Sequence, residues 1–120
     1  MDGETAFERA VRVGREAAEV GFDWAEAREA LEKVGEETAE LNQELDAPER
    51  AFEELGDLLF AVANVARKLD LDGEAALRAA TDKFERRFST VLALIAKHGK
   101  TPEQLTLPEL EAFWQLAKRQ

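Results

Sequence analysis

The chain has 120 residues, no cysteine, a single histidine and a formal net charge of −10. That length is room for one domain with a real core, and the missing thiols exclude a disulfide framework, thiolate zinc sites and cysteine nucleophiles. The acid excess argues against nucleic acid or an anionic membrane as partner, and no apolar run approaches the ~20 residues of a membrane span.

Ala, Leu, Glu, Arg and Lys fill the stretches between seven glycines and three prolines, and no segment alternates apolar with polar residues. Helices are expected and strands are not. The first helix should run from about Thr5 to Val20, where Gly21 interrupts. Phe22-Asp23-Trp24 is a short aromatic connection, with Asp23 placed to cap the second helix and Glu26 as its capping-box partner. The second helix carries Leu31, Val34, Thr38, Leu41 and Leu45 as a core stripe. Pro48 fits the first turn of a third helix, about Pro48 to Leu69. Its stripe of Phe52, Leu55, Leu59, Val62, Ala66 and Leu69 is widened by Leu58, Phe60 and Val65, which implies burial on more than one side. A fourth helix, about Gly73 to Lys97, shows Leu77, Ala80, Phe84, Phe88, Val91 and Ile95 on one face and ends at Gly99. A last short helix holds Leu110, Phe113, Trp114 and Leu116. The expected fold class is all-α, a helical bundle of four to five helices in a single domain, 1–120. The acid-rich start has no apolar signal region, and the chain reads as cytoplasmic.

Charge placement carries the functional signal. Residues 36–57 hold nine acids and one base, Arg50. Like charges at helix neighbours repel by a few tenths of a kcal/mol per pair, so something cationic belongs among them. Glu37 and Glu40 lie three apart on the second helix, and Glu54 and Asp57 three apart on the third. A short turn makes the helices antiparallel neighbours, so two carboxylate pairs face each other as an all-oxygen cage. Such ligands suit Mg²⁺, with Mn²⁺ as a substitute. Asp57 shares a line with Ala61 and Asn64 on the widely apolar third helix, which makes it the strongest single ligand candidate. The competing reading is a solvated acidic face.

On the fourth helix Lys83 and Arg87 stand at i,i+4 on one flank of the Phe84/Phe88 stripe. Beside a metal-filled acidic site they would suit a polyphosphate; alone, they would suit salt bridges to Asp82 or Glu85. Phe22 and Trp24 offer faces for a base, against the commoner role of closing a helix junction. His98 sits where it favours a helix C-terminus. The absence of a Glu-x-x-His pair argues against a di-iron bundle.

Glu36-Glu37-x-x-Glu40, thirteen intervening residues and Glu54-x-x-Asp57 resemble the signature of MazG-type nucleoside triphosphate pyrophosphohydrolases. Val20-Gly21-Phe22-Asp23-Trp24, Glu54 to Ala61 and Lys83-Phe84-Glu85-Arg86-Arg87-Phe88 extend the likeness to the catalytic C-terminal domain of two-domain members, over roughly residues 12–119. The resemblance implies an all-α fold, homodimers or higher oligomers, and Mg²⁺-dependent cleavage of nucleoside triphosphates to monophosphate and pyrophosphate, for clearing unwanted nucleotides. It implies Glu37, Glu40, Glu54 and Asp57 as metal ligands. It gives Lys83 and Arg87, with Arg86, to the triphosphate and Asn64 to the site's edge; Trp24 is the candidate for the base. Glu36 or Glu40 would take the proton of the attacking water. Gly35 and Thr81 depart from the lysine and asparagine common in the family, which bears on substrate preference. The wide apolar third helix supports completion of the bundle by homodimerisation. The rival function is a non-catalytic acidic module that binds divalent cations or a partner helix.

Overall fold

Thr5 opens the first helix: its hydroxyl accepts from the Glu8 N–H at 3.0 Å, and Glu8 accepts from the Thr5 N–H at 2.8 Å. This reciprocal box satisfies two of the donors a helix start leaves free. In the computed structural model, which describes residues 3–120, it begins α1 (Ala6–Glu19). Then follow α2 (Ala27–Gln43), α3 (Pro48–Lys68), α4 (Gly73–Lys97), a 3-10 turn (Pro102–Gln104) and α5 (Leu107–Ala117). The described residues are helical with no strand, as the composition demanded. None of these helices is long and apolar enough to cross a membrane.

Contacts divide the chain into two compact units, one ending at Ala76 and the other running Leu77–Gln120. In the first, α3 packs against both α2 and α1. Its buried non-polar positions are small: Ala30 on α2, Ala61 and Ala63 on α3, and Gly14 on α1. A Cβ on Gly14 would stand 2.5 Å from Asn64 Oδ1 and 2.8 Å from Arg67 Nε, so only glycine lets these polar groups reach α1. In the second unit Val91, Ile95 and Ala117 are buried, with Leu105, Leu110, Phe113 and Trp114 packed against them.

Several core assignments change. Leu31, Leu45, Phe52, Leu55 and Leu59 are exposed. The helices approach through alanine and glycine, so much of the large apolar stripe stays outside the contact. Phe84 and Phe88 also lie exposed; their rings stack with centroids 5.9 Å apart, and Phe84 meets Trp114 at 5.3 Å. Asp23 does not cap α2. Glu26 occupies that position, its N–H donating to Glu29 at 3.0 Å.

Asp23 is claimed instead by residues 44 and 45 positions away. Arg67 donates to its two oxygens at 2.7 and 3.1 Å, and Lys68 Nζ donates at 3.1 Å. The Trp24 N–H donates to Asp23 at 2.8 Å, and Lys68 also donates to the Trp24 carbonyl at 2.6 Å. Arg67 Nε reaches Asn64 Oδ1 at 3.2 Å. The paired Arg67 guanidinium, with the Lys68 and Trp24 donors, holds the Asp23 carboxyl far below the usual carboxylate range. This cluster fixes the α1–α2 connection against the C-terminal end of α3.

Candidate metal centre

Near the other end of α3 the acids converge. Glu37 on α2 and Glu54 and Asp57 on α3 each offer a carboxylate oxygen, all within 4.8 Å of one another. The i,i+3 spacing puts Glu54 and Asp57 on one side of α3, and the tight turn through Asp46 and Ala47 brings α2 alongside. Glu40 stands beside Glu54, carboxylate to carboxylate. Three of the four expected ligands thus form one group, with the fourth against its edge.

Burial within the group departs from expectation at Asp57, whose line with Ala61 and Asn64 pointed to apolar surroundings. Glu37 is buried, Glu54 is half-buried and Asp57 is exposed. The line Asp57–Ala61–Asn64 does run into the protein, but it submerges only from Ala61 onward. Glu36 points outward, its side chain 67% exposed.

The group's electrostatics are unresolved by the protein itself. Among the described residues, the buried side-chain oxygens without any hydrogen-bond partner are Glu37 Oε2 and Glu54 Oε2. A buried orphan acceptor costs about 1–3 kcal/mol, and more when it is charged. The Glu54 carboxyl is pushed up to about 7, first by desolvation and then by the facing Glu40, with the charges of Asp57 and Glu37 adding to it. Lys33 gives partial relief: its Nζ lies 3.1 Å from Glu37 Oε1 and 3.7 Å from Glu36 Oε2, and the Glu37 carboxylate raises the Lys33 ammonium. Arg50 gives none here, since Glu44 holds it at 2.7 Å. Orphaned oxygens, mutual repulsion and an oxygen-only donor set together fit a hard divalent cation.

The other expected site residues lie elsewhere. Asn64 is buried and accepts from Arg67. Trp24 is tied to Lys68, eleven residues and ~16 Å along α3 beyond Asp57. In the second unit, Lys83, Arg86 and Arg87 line a cavity of about 400 Å³. Lys118 lines it too. Sequence reading passed over Lys118, whose only signal was its place in the basic Lys118-Arg119 tail after the last apolar stripe. None of these four cations pairs with an acid among the described residues, so the salt-bridge reading of Lys83 and Arg87 is not realised in this structure.

The family model of the MazG nucleotide pyrophosphohydrolase domain matches residues 25–92, which hold the whole acid group and the α4 cations. The chain belongs to that family. It is 42% identical over 113 residues to the nucleoside triphosphate pyrophosphohydrolase/pyrophosphatase MazG of Thermotoga maritima, covering 94% of this chain and 44% of that protein. It is 40% identical over 119 residues to the nucleoside triphosphate pyrophosphohydrolase of Escherichia coli K12, covering 96% of this chain and 45% of that protein. A shorter likeness, 38% over 65 residues, joins it to the uncharacterised protein YabN of Bacillus subtilis, covering 54% of this chain and 13% of that protein. The chain therefore spans less than half the length of these curated relatives.

Proposed function

We propose that this chain is a single catalytic domain that hydrolyses nucleoside triphosphates between the α- and β-phosphorus atoms, releasing monophosphate and pyrophosphate. The observation that carries this is the pair of buried, unpartnered oxygens on Glu37 and Glu54 within a cluster of acids. The names of the two longer matches supply the reaction class.

Glu37, Glu40, Glu54 and Asp57 are the residues that would hold Mg²⁺, or Mn²⁺ in its place. The ion would supply Lewis-acid polarisation of a phosphoryl group and a bound water of lowered pKa. The protein's own work is to hold the acids in register on two antiparallel helices and to accept the water's proton. Glu36 or Glu40 would take that proton: Glu40 stands beside Glu54, and Glu36 faces solvent one position before Glu37. Lys83, Arg86 and Arg87, joined by Lys118, would take polyphosphate oxygens as charge-assisted donors. The resemblance gives Asn64 to the site's edge and Trp24 to the base, although Arg67 and Lys68 hold these two toward the C-terminal end of α3.

The working form is a homodimer or higher homo-oligomer. Phe52, Leu55, Leu59 and Val62 form one stripe on α3, and Phe52 is 78% exposed. A stripe of large apolar side chains on one helix is what an interface between copies would cover. The setting is the cytoplasm, where free nucleotides are made and used, and the role is clearing unwanted ones.

The test is to incubate the purified chain with a panel of nucleoside triphosphates and Mg²⁺ and read products by phosphorus NMR. Monophosphate with pyrophosphate is the expected result. Stepwise orthophosphate, or no turnover with any substrate, would overturn the reading.

A further inference from the structure

Beside the acid group stands a cation to which the proposed reaction gives no role. Lys33 stands one turn before Glu37 on α2, with its Nζ 3.1 Å from Glu37 Oε1. The Glu37 side chain is 7% exposed, and its other oxygen is buried without a partner. An ionised carboxylate at that depth needs compensation. Lys33 brings it from outside, since 41% of its own side chain remains in solvent.

Helix stability alone is a poor account of this pair. At i,i+4 the favourable order is Glu before Lys; here lysine comes first, the weaker arrangement. Lys33 also reaches Glu36 at 3.7 Å, so its ammonium sits between two carboxylates.

We propose that Lys33 is a tethered stand-in for the divalent cation. It neutralises Glu37 while no ion is bound, and it competes with the ion for that carboxylate. The inference deepens the metal-site reading of Glu37, Glu54 and Asp57 and rests on it. A lysine ammonium is a monovalent point charge on a flexible stem, so it can withdraw without moving the backbone. A divalent ion brings twice the charge, and the two cations repel across the shared carboxylate. Lys33 would therefore keep the buried acid tolerable in the empty site and hold metal affinity below what the acids alone would give.

The test uses the full chain with Lys33→Met and Lys33→Arg. Mn²⁺ is titrated without nucleotide, and free Mn²⁺ is followed by electron paramagnetic resonance. The Met variant should bind Mn²⁺ about tenfold tighter than the unaltered chain, because a like charge has been removed from the site. The Arg variant should bind as the unaltered chain does. In chelator the Met variant should melt lower, and Mn²⁺ should raise its Tm by more than it raises the parent's. Equal or weaker Mn²⁺ binding by the Met variant would overturn the inference while leaving the metal site standing. If the unaltered chain binds no Mn²⁺, both fall.

Discussion

The two ends of α3 treat clustered charge in opposite ways. At the C-terminal end, Asp23 is saturated: Arg67, Lys68 and the Trp24 N–H all donate to it, and Gly14 leaves room for the Asn64–Arg67 pair behind it. Toward the N-terminal end, Glu37, Glu54 and Asp57 crowd together, with two buried oxygens unpartnered and Lys33 as a partial counterion. The first cluster is complete without anything from outside. The second is not, and under the proposed function a hard cation would supply what it lacks. Acidity does not separate the two; whether the protein's own donors close the ledger of lone pairs does.

The largest effect should come from the incomplete end. Asp57→Asn removes a ligand charge but keeps the shape, and it should lower kcat by about a thousandfold, or several kcal/mol in the barrier. Its circular dichroism and Tm in chelator should match the parent. A variant that keeps full turnover would erase the distinction between the two clusters.

At the complete end the expected loss is stability. Asp23→Asn leaves the nearly buried Arg67 and Lys68 without their anion, which should cost about 3 kcal/mol in chemical denaturation, with Mn²⁺ affinity retained. Gly14→Ala drives a methyl against Asn64 and Arg67 and should cost about 1–3 kcal/mol by the same assay.

The smallest effects are in pH, and they run in opposite directions. The Asp23 carboxyl is lowered by folding, so its contribution is present above the usual carboxylate range and is lost as pH falls below that range through the lowered folded value. The Glu54 carboxyl is raised to about 7 from an ordinary 4.5, so the folded chain holds that proton more tightly. Its contribution is present below pH 4.5 and is lost as pH rises toward 7 in metal-free solution. Denaturation midpoints of the metal-free chain at pH 5 and pH 8 should therefore differ less in Glu54→Gln than in the parent. An unchanged difference would mean that Glu54 is not held protonated by its neighbours.

Much of this was legible in the sequence. Glycines 21 and 99 and prolines 48, 102 and 108 mark the element boundaries, and α4 was read as Gly73 to Lys97, where the structure has it. The acid group followed from two i,i+3 pairs and a short turn. Burial was less legible. Wheel arguments let the largest apolar side chains define the inside, whereas α1, α2 and α3 meet through Gly14, Ala30, Ala61 and Ala63. That packing leaves Phe52 outside the contact and makes Glu37, rather than Asp57, the deep acid. The Asp23 clamp joins residues more than forty positions apart, so local capping rules assigned Asp23 to the nearest helix. Lys33 lies four residues before Glu37 but outside the acid run of 36–57, so charge density alone does not single it out.

The most direct test of the contrast is calorimetric titration of Mn²⁺ into three proteins: the parent chain, Asp57→Asn and Asp23→Asn. The account predicts saturable binding in the parent and in Asp23→Asn, and its loss in Asp57→Asn. Equal heats in all three, or none in the parent, would contradict it.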